Sequence, residues 1–506
     1  MYTRYTDIEN LKEIMPDANE YNVNRIAKIN RIHENGRNPY PYSFRDTTHI
    51  YYILDKFEAI EDEDIFSIAG RIMLIRDMGK TIFMNIKDES GNIQLYLNAK
   101  LLGKEDFSEV KNLDVGDIIG TIGTIFKTKT GEITLRVKEL VLLTKSIRPL
   151  PEKFHGIQDV ELRERYRSLD MIMNDDVKNR FINRSRAITA IRDFLNSRGY
   201  YEVDTPILDT KYGGGEAKPF VTHVNALNTD AYLTVSPELF LKRFIVGGIE
   251  KVYTFCRAFR NEGIDRTHYP EFTLLECYQA YSDYRDMMEL MENVYDNTFR
   301  KVLGSTVVNI ERVSVDFKAP WRRVTMYDLV NEELGIELNS MNEIQIKEYV
   351  TENNLFPQMQ LNKSQVEDMS KGYLILNLFE TFCESKIIQP TFVIDYPYET
   401  SPLCKTHREN TELIERFEPF AAGVELGNAY SELNDPIRQR ELLKEQSDKL
   451  RAGLETASPM DEEFARAVDV GMPPTGGLGV GIDRLIMFLT EASSIKDVIA
   501  FPITKR

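Results

Sequence analysis

The chain has 506 residues, 42% hydrophobic and 10% aromatic, enough for roughly three domains that each bury a core. Lysine and arginine number 63 against 80 acids, a formal charge of −17, which excludes a protein that coats nucleic acid by bulk electrostatics but allows a local basic face. Cys256, Cys277, Cys383 and Cys404 show neither a disulfide framework nor zinc-ligand spacing, and no stretch has the apolar run of a signal peptide or of a membrane span, so the expected setting is reducing and cytosolic, with no membrane partner.

In chain order, residues 1 to about 55 are polar, with a helix expected near Val23–Ile32 and an extended NPYPYSF after it. From Phe66 to Val141, short alternating runs (SIAGRIMLI, TIFMNIK, NIQLYL, DIIGTIGTIF, EITLRVKEL) are separated by turn signals and predict a five-stranded antiparallel barrel. Alternation turns Ile82, Met84, Ile86, Ile93, Leu95 and Leu97 inward and Phe83, Gln94 and Tyr96 outward. An outward Phe beside Gln and Tyr suits stacking on single-stranded nucleic acid, or packing beneath another domain.

A proline-containing linker, KSIRPLPEKFHG (145–156), precedes a helix whose apolar positions Phe181, Ile188, Ile191 and Leu195 stop at Gly199. YYEVDTPIL reads as a strand broken at Pro206, and strand-like and helical segments alternate from there on. No strand leads into GxGxxG or GxxxxGK[ST], which disfavours Rossmann and P-loop folds. Residues about 341–385 look like a helical insertion with nothing catalytic in it.

Three stretches carry chemistry. FRNEGIDRTHYPEF (259–272) lies between strand-like VYTFCRAF and LLECYQAY and should be a hairpin loop, with Arg260 able to fork onto phosphate oxygens and Phe272 able to cover a ring. FEPFAAGVELGNAYSELNDP (417–436) sets Glu418, Glu425, Asn428 and Glu432 among small and apolar residues; the first two are out of phase and need a bend at Gly423 to converge. Carboxylates in such surroundings need a metal, a cation or capping contacts. GGLGVGIDRLIMFLTE (476–491) gives a glycine-rich strand, then a helix with Arg484 near its N-terminus, where the macrodipole disfavours a cation unless an anion sits close by.

FRNEGIDRTHYPEFTLLECYQAY resembles motif 2 of the class II aminoacyl-tRNA synthetases, GLGVGIDRLIMFL their motif 3, and the helix and strand ending at Pro206 their motif 1. Within that class, SPELFLKRFIVGGIEKVY, SPLCKTHR, FEPFAAGVELGNAYSELNDP and SIKDVIAFP are most similar to the lysyl-tRNA synthetase family. The resemblance implies an α+β protein: an N-terminal OB-fold β-barrel, then a class II catalytic domain built on an antiparallel β-sheet flanked by helices. It divides the chain into an extension (1–55), an anticodon-binding OB domain (56–145), a linker (146–165) and the catalytic domain (166–506).

It also implies roles. Arg260 would hold the α-phosphate of ATP; Glu262 would meet the adenine edge, His268 the outer phosphates, and Phe272 would stack on the base. Arg484 would cover the other adenine face and reach the γ-phosphate. Glu418 and Glu425 would ligate Mg²⁺, with Glu425 also at the ATP, and Asn428 would orient the carboxylate side of the amino acid. Glu238, Glu276, Glu432 and Tyr278 would surround lysine's two amines, and Phe83, Gln94 and Glu132 would read the anticodon of tRNA(Lys). A homodimer through motif 1 is implied as well.

Four positions depart from the family pattern: Tyr212 for proline, Gly215 for alanine, Thr234 for arginine and Ser236 for alanine. The nearest rival is an aspartyl or asparaginyl synthetase, disfavoured by the three glutamates together. A non-catalytic RNA-binding paralogue is disfavoured by the retention of Arg260, Arg484, Glu418 and Glu425.

Overall fold

A computed structural model describes residues 7–151, 159–310, 313–454 and 456–504. The chain forms two compact units, Met1–Gln158 and Asp159–Arg506. Residues 152–158 of the expected linker lie outside the described residues.

In the first unit, β1 (Ile65–Asp77), β2 (Thr81–Lys87), β3 (Asn92–Asn98), β4 (Ile118–Lys127) and β5 (Ile133–Thr144) close a barrel in the order β1-β2-β3-β5-β4. All neighbours are antiparallel except β3 and β5, so the barrel is not wholly antiparallel as alternation alone suggested. The helix Ala99–Leu102 and the helix Lys104–Val110 lie between β3 and β4, giving the chain the length needed for that parallel step. Ile82, Met84, Ile86, Ile93, Leu95 and Leu97 are all buried in the barrel core, as their period of two requires.

The polar N-terminal stretch belongs to the same unit. The helix Glu20–Glu34 is capped by Asn19, and its Arg25 donates to the carbonyls of Val115, Ser146 and Arg148 while Lys28 pairs with Asp114 at 2.6 Å. An arginine that donates to three carbonyls stitches the end of β5 to the β4 entry loop.

The second unit is built on a nine-stranded sheet ordered Arg322–Thr325, Thr391–Pro397, Leu413–Ala421, Gly427–Ser431, Thr475–Gly481, Glu271–Ala280, Lys251–Phe259 and Tyr201–Glu202, with Val424–Glu425 paired to Leu413–Ala421. Only the two edge pairs are parallel. The helices Asp175–Ser197, Tyr284–Leu303 and Ile482–Leu489 cover one face, burying Ile191, Leu195, Met287, Met291, Tyr295 and Leu485 against Leu275, Cys277, Leu478 and Val480. That leaves the other face of the central strands free for a site. Residues 343–382 form three helices whose Ile346, Val350, Val366, Leu374 and Leu378 make a second core with Tyr396, Ile414 and Phe420.

Candidate active site

Along Glu271–Ala280 the odd positions Leu275 and Cys277 enter the core, so Phe272, Leu274, Glu276 and Tyr278 stand on the uncovered face. The neighbouring strand sets a glycine opposite each of the last three: Tyr278 pairs with Gly477, Glu276 with Gly479 and Leu274 with Gly481. A Cβ at Gly477 would lie 1.8 Å from Glu432 Oε1 and 2.6 Å from the Tyr278 ring, whereas at Gly479 and Gly481 it would meet nothing closer than 3.6 Å. The glycine run therefore does two things: Gly477 admits packed side chains, and the other two leave open space above the sheet.

That space is a cavity of about 370 Å³ lined by Glu238, Arg260, Glu262, His268, Phe272, Glu276, Tyr278, Glu425, Asn428 and Arg484. A second cavity of about 310 Å³ shares Glu238, Arg260, Glu425 and Asn428 with it and adds Glu418. Of the candidate residues for this unit, only Glu432 lines neither; it is 1% exposed and lies behind Gly477.

At one end the charges are buried. Glu276 accepts from Ser236 Oγ at 2.7 Å and from Tyr278 OH at 3.2 Å. Burial, reinforced by the charge of Glu238, pushes its carboxyl up to about 8. Glu238 accepts from Tyr430 OH at 2.6 Å and from Lys242 Nζ at 2.6 Å. Lys242, fully buried, also forms an ion pair with Glu432 Oε2. Burial raises the Glu432 carboxyl well above its ordinary value despite that cation.

At the other end the groups are more open. The hairpin Lys251–Phe259 to Glu271–Ala280 presents the loop as expected, and the Arg260 guanidinium lies over the Phe272 ring, 5.1 Å from its centroid, with Nε buried and without a partner. Arg484 donates to the Glu425 carbonyl (2.7 Å) and carboxylate (3.1 Å), so the anion its helix position calls for is a side chain of this protein. It also reaches His268 Nε2 at 3.1 Å, while His268 Nδ1 lies 2.8 Å from Asp265. Since guanidinium only donates, Nε2 accepts and Nδ1–H donates to Asp265. Asp483 fixes the start of the Arg484 helix by accepting from the Thr273 amide at 2.6 Å and from Arg184 at 2.5 Å.

Ala422 and Gly423, at φ +46° and +68°, make the bend that brings Glu418 and Glu425 together, and the pairing of Phe420 with Glu425 completes it. Glu418 accepts from Arg416 (2.5 Å) and from Tyr396 OH (2.8 Å), and Arg416 also donates to Asn428 Oδ1 at 3.0 Å. The helical insertion contributes too: burial, with the charges of Glu425, Glu380 and Glu418, raises Glu384 to about 7. Crowded carboxylates that raise one another are short of positive charge, and an all-oxygen set suits a hard divalent cation. Among the described residues no three or more His, Cys, Asp and Glu side chains close a metal shell, so most ligands would have to come from phosphate and water.

Sequence reasoning missed Lys242, Arg416, Tyr430, Glu380 and Glu384. Lys242 had a signal, standing four residues after Glu238 on one helix. The departures from the family pattern are placed here as well. Ser236 supplies the donor to Glu276, Thr234 Oγ1 donates to the Ser236 carbonyl, and Tyr212 OH donates to the Ala457 carbonyl. A Cβ at Gly215 would make only ordinary contacts.

On the barrel, Phe83 lies 5.4 Å from Tyr96, Tyr96 lies 5.9 Å from Phe126, and the Arg136 guanidinium sits 4.7 Å above Phe126. This row runs along the outer face of β2, β3, β4 and β5. Gln94 is only 8% exposed, because it donates to Glu132 at 3.1 Å and accepts from Thr134 at 3.0 Å. Phe126 and Arg136 extend the platform beyond the three residues expected.

A barrel with an aromatic outer row, together with a mainly antiparallel sheet whose hairpin, glycine strand and arginine helix frame one cavity, defines a class II synthetase, and the chain belongs to the family described as tRNA synthetases class II (D, K and N), which matches residues 159–505. The OB-fold nucleic acid binding domain matches residues 66–143. Among curated relatives, a lysine–tRNA ligase of Clostridium novyi is 49% identical over 482 residues, 95% of this chain and 94% of the relative. One from Clostridium botulinum is 48% identical over 96% of each chain, and one from Clostridium perfringens 46% identical over 98% of each.

Proposed function

We infer that this chain activates L-lysine with ATP to lysyl-adenylate and pyrophosphate, then transfers lysine to the 3′ end of tRNA(Lys). The observation that carries the reading is the buried end of the cavity, lined by Glu238, Glu276 and Tyr278 with Glu432 directly behind Gly477. Desolvated acids favour a substrate with two ammonium groups and penalise aspartate or asparagine, which leave them unpaired.

Lysine's carboxylate, oriented by Asn428, faces the α-phosphorus of ATP across the cavity. Arg260 holds the α-phosphate and stabilises the charge that grows on its oxygens as pyrophosphate leaves; its unpartnered Nε suits that use. Phe272 and Arg484 enclose the adenine, with Glu262 at its edge, and Arg484 and His268 meet the outer phosphates, exchanging their present partners for them. Glu418 and Glu425 would hold Mg²⁺, which when bound neutralises triphosphate charge. No nucleophilic side chain is required, because the substrates' own carboxylate and the ribose hydroxyl of tRNA do the attacking.

Phe83, Gln94 and Glu132 read the anticodon, with Tyr96, Phe126 and Arg136 extending the stacking row. Replacing Phe83 by alanine should raise the tRNA KM by the ~1–3 kcal/mol of one stacked base and leave ATP–pyrophosphate exchange unchanged. The cytosol is the proposed setting: the cysteines are free, and among the described residues no helix is long and apolar enough to cross a membrane. Homodimer formation through the motif 1 region is supported by Tyr201, Ile207 and Leu208, exposed at 67%, 46% and 45%; a monomer mass in gel filtration would remove it. The decisive test of the reading is charging of a tRNA(Lys) transcript with radiolabelled lysine, aspartate or asparagine. Lysine alone should be transferred, and transfer of either other amino acid would overturn the reading.

A further inference from the structure

Lys242 is a cation that the lysine-activating reading leaves unused. It is 0% exposed, on the helix Glu238–Val246, with its Nζ 2.6 Å from Glu238 Oε1 and in contact with Glu432 Oε2. The Tyr430 ring lies 5.5 Å from Nζ and the Phe464 ring 5.9 Å. Buried as it is, Nζ is little screened from the two acids it touches.

Glu238 and Glu276 line the cavity and Glu432 stands behind Gly477, three carboxylates beside an amino acid that brings two ammonium groups, which leaves one negative charge over. A buried charge left over is costly. We propose that Lys242 is the charge-setting residue of the amine pocket: it is a resident third ammonium which, with the two of bound lysine, balances the three acids, so that a diamine and not a monoamine completes the pocket. The proposal rests on the lysine-activating reading and adds to it a specificity-determining residue that touches no substrate.

The other groups around the pocket do not replace it. Tyr278, Tyr430 and Cys404 face the acids and are themselves pushed up, chiefly by burial, so they stay neutral. Arg260 acts on Glu276 from the far side of the cavity, and Arg416 is paired with Glu418. The helix Glu462–Val470 brings Phe464 to Lys242, while its Glu463 lies 3.5 Å from Arg243. Burial pulls the Lys242 ammonium down, but Glu238 and Glu432 together outweigh that and hold it above its ordinary value.

The test is the lysine KM in ATP–pyrophosphate exchange between about pH 6 and 8.5 for wild type, Lys242→Met, Lys242→Gln and Lys242→Arg, each first checked by thermal melting. Without the cation the three acids keep one more proton, which must leave when lysine binds. The KM of the neutral variants should therefore rise about tenfold or more at pH 7, one pKa unit on one carboxyl, and the factor should shrink as pH rises. Lys242→Arg should restore the wild-type pH slope. The glutamine variant, which keeps a donor for Glu238, serves where methionine does not fold. A loss of the same factor at every pH, or a change under about twofold, would overturn the proposal and leave Lys242 a packing residue. Absence of lysine-dependent exchange in the wild type would instead overturn the reading beneath it.

Discussion

At the amine end of the cavity, Glu238, Glu276 and Glu432 are exposed by 5%, 5% and 1% and are held by Ser236, Tyr278, Tyr430 and Lys242; at the nucleotide end, Glu262, Asp265 and His268 are exposed, and Arg484 is held by Glu425 and His268. The physics differs accordingly. Desolvated charges interact strongly and cannot trade partners with water, so the amine end is fixed before substrate arrives and selects by charge count. The Arg484–Glu425 pair is partly open to solvent, its side chains 16% and 37% exposed, so it can release and take up a triphosphate more readily than the buried acids can change partners. On the proposed reading one end recognises and the other catalyses, and the sheet joins them through alternate residues of a single strand.

Substitutions should separate the two ends. The largest effect is expected from Arg260→Ala: roughly 100- to 1,000-fold off the exchange rate, as for loss of one transition-state donor, with the lysine Kd in calorimetry nearly unchanged. An equal loss of lysine affinity would show that the ends are not separable. Gly477→Ala should do the reverse, because its Cβ meets Glu432 and Tyr278. Overpacking of about 1–3 kcal/mol should lower Tm and raise the lysine KM while leaving the ATP KM alone.

The pH dependence of stability sharpens the contrast. Glu276 holds its proton up to about pH 8 in the fold but releases it near its ordinary value of 4.5 when unfolded. Between those values the folded state binds more protons, so wild type loses stability as pH rises through the window, and the loss is complete above about 8. At ~1.4 kcal/mol per unit, Glu276→Gln should melt several degrees above wild type at pH 8 and by much less at pH 5. The smallest effect belongs to His268→Ala, an exposed side chain: a several-fold rise in the ATP KM, with the lysine KM and Tm unchanged.

Much of this architecture was legible in the sequence. Alternation placed Phe83 outside the barrel and Ile82, Met84 and Ile86 inside because a period of two fixes the faces once one is buried. The convergence of Glu418 and Glu425 was readable from Gly423, a residue that takes positive φ without cost, although the turn also holds Ala422 at φ +46°. What was hidden depends on contacts far apart in sequence. Arg416 holding Glu418 and Asn428, and Glu384 reaching the same acids from the helical insertion, have no local period or motif. Lys242 was hidden differently: its position four residues after Glu238 was visible, but a lysine on a helix ordinarily faces water, and only the fold shows it at 0% exposure. The parallel β3–β5 pair escaped because alternation gives faces and not directions.

The most direct measurement is ATP–pyrophosphate exchange with lysine, aspartate and asparagine, wild type beside Glu276→Gln. Exchange with lysine alone, lost in the variant, is the expected result, because the amide cannot supply the charge that an ammonium needs in a dry pocket. Exchange with aspartate or asparagine, or an unchanged lysine KM in Glu276→Gln, would contradict selection by buried acids.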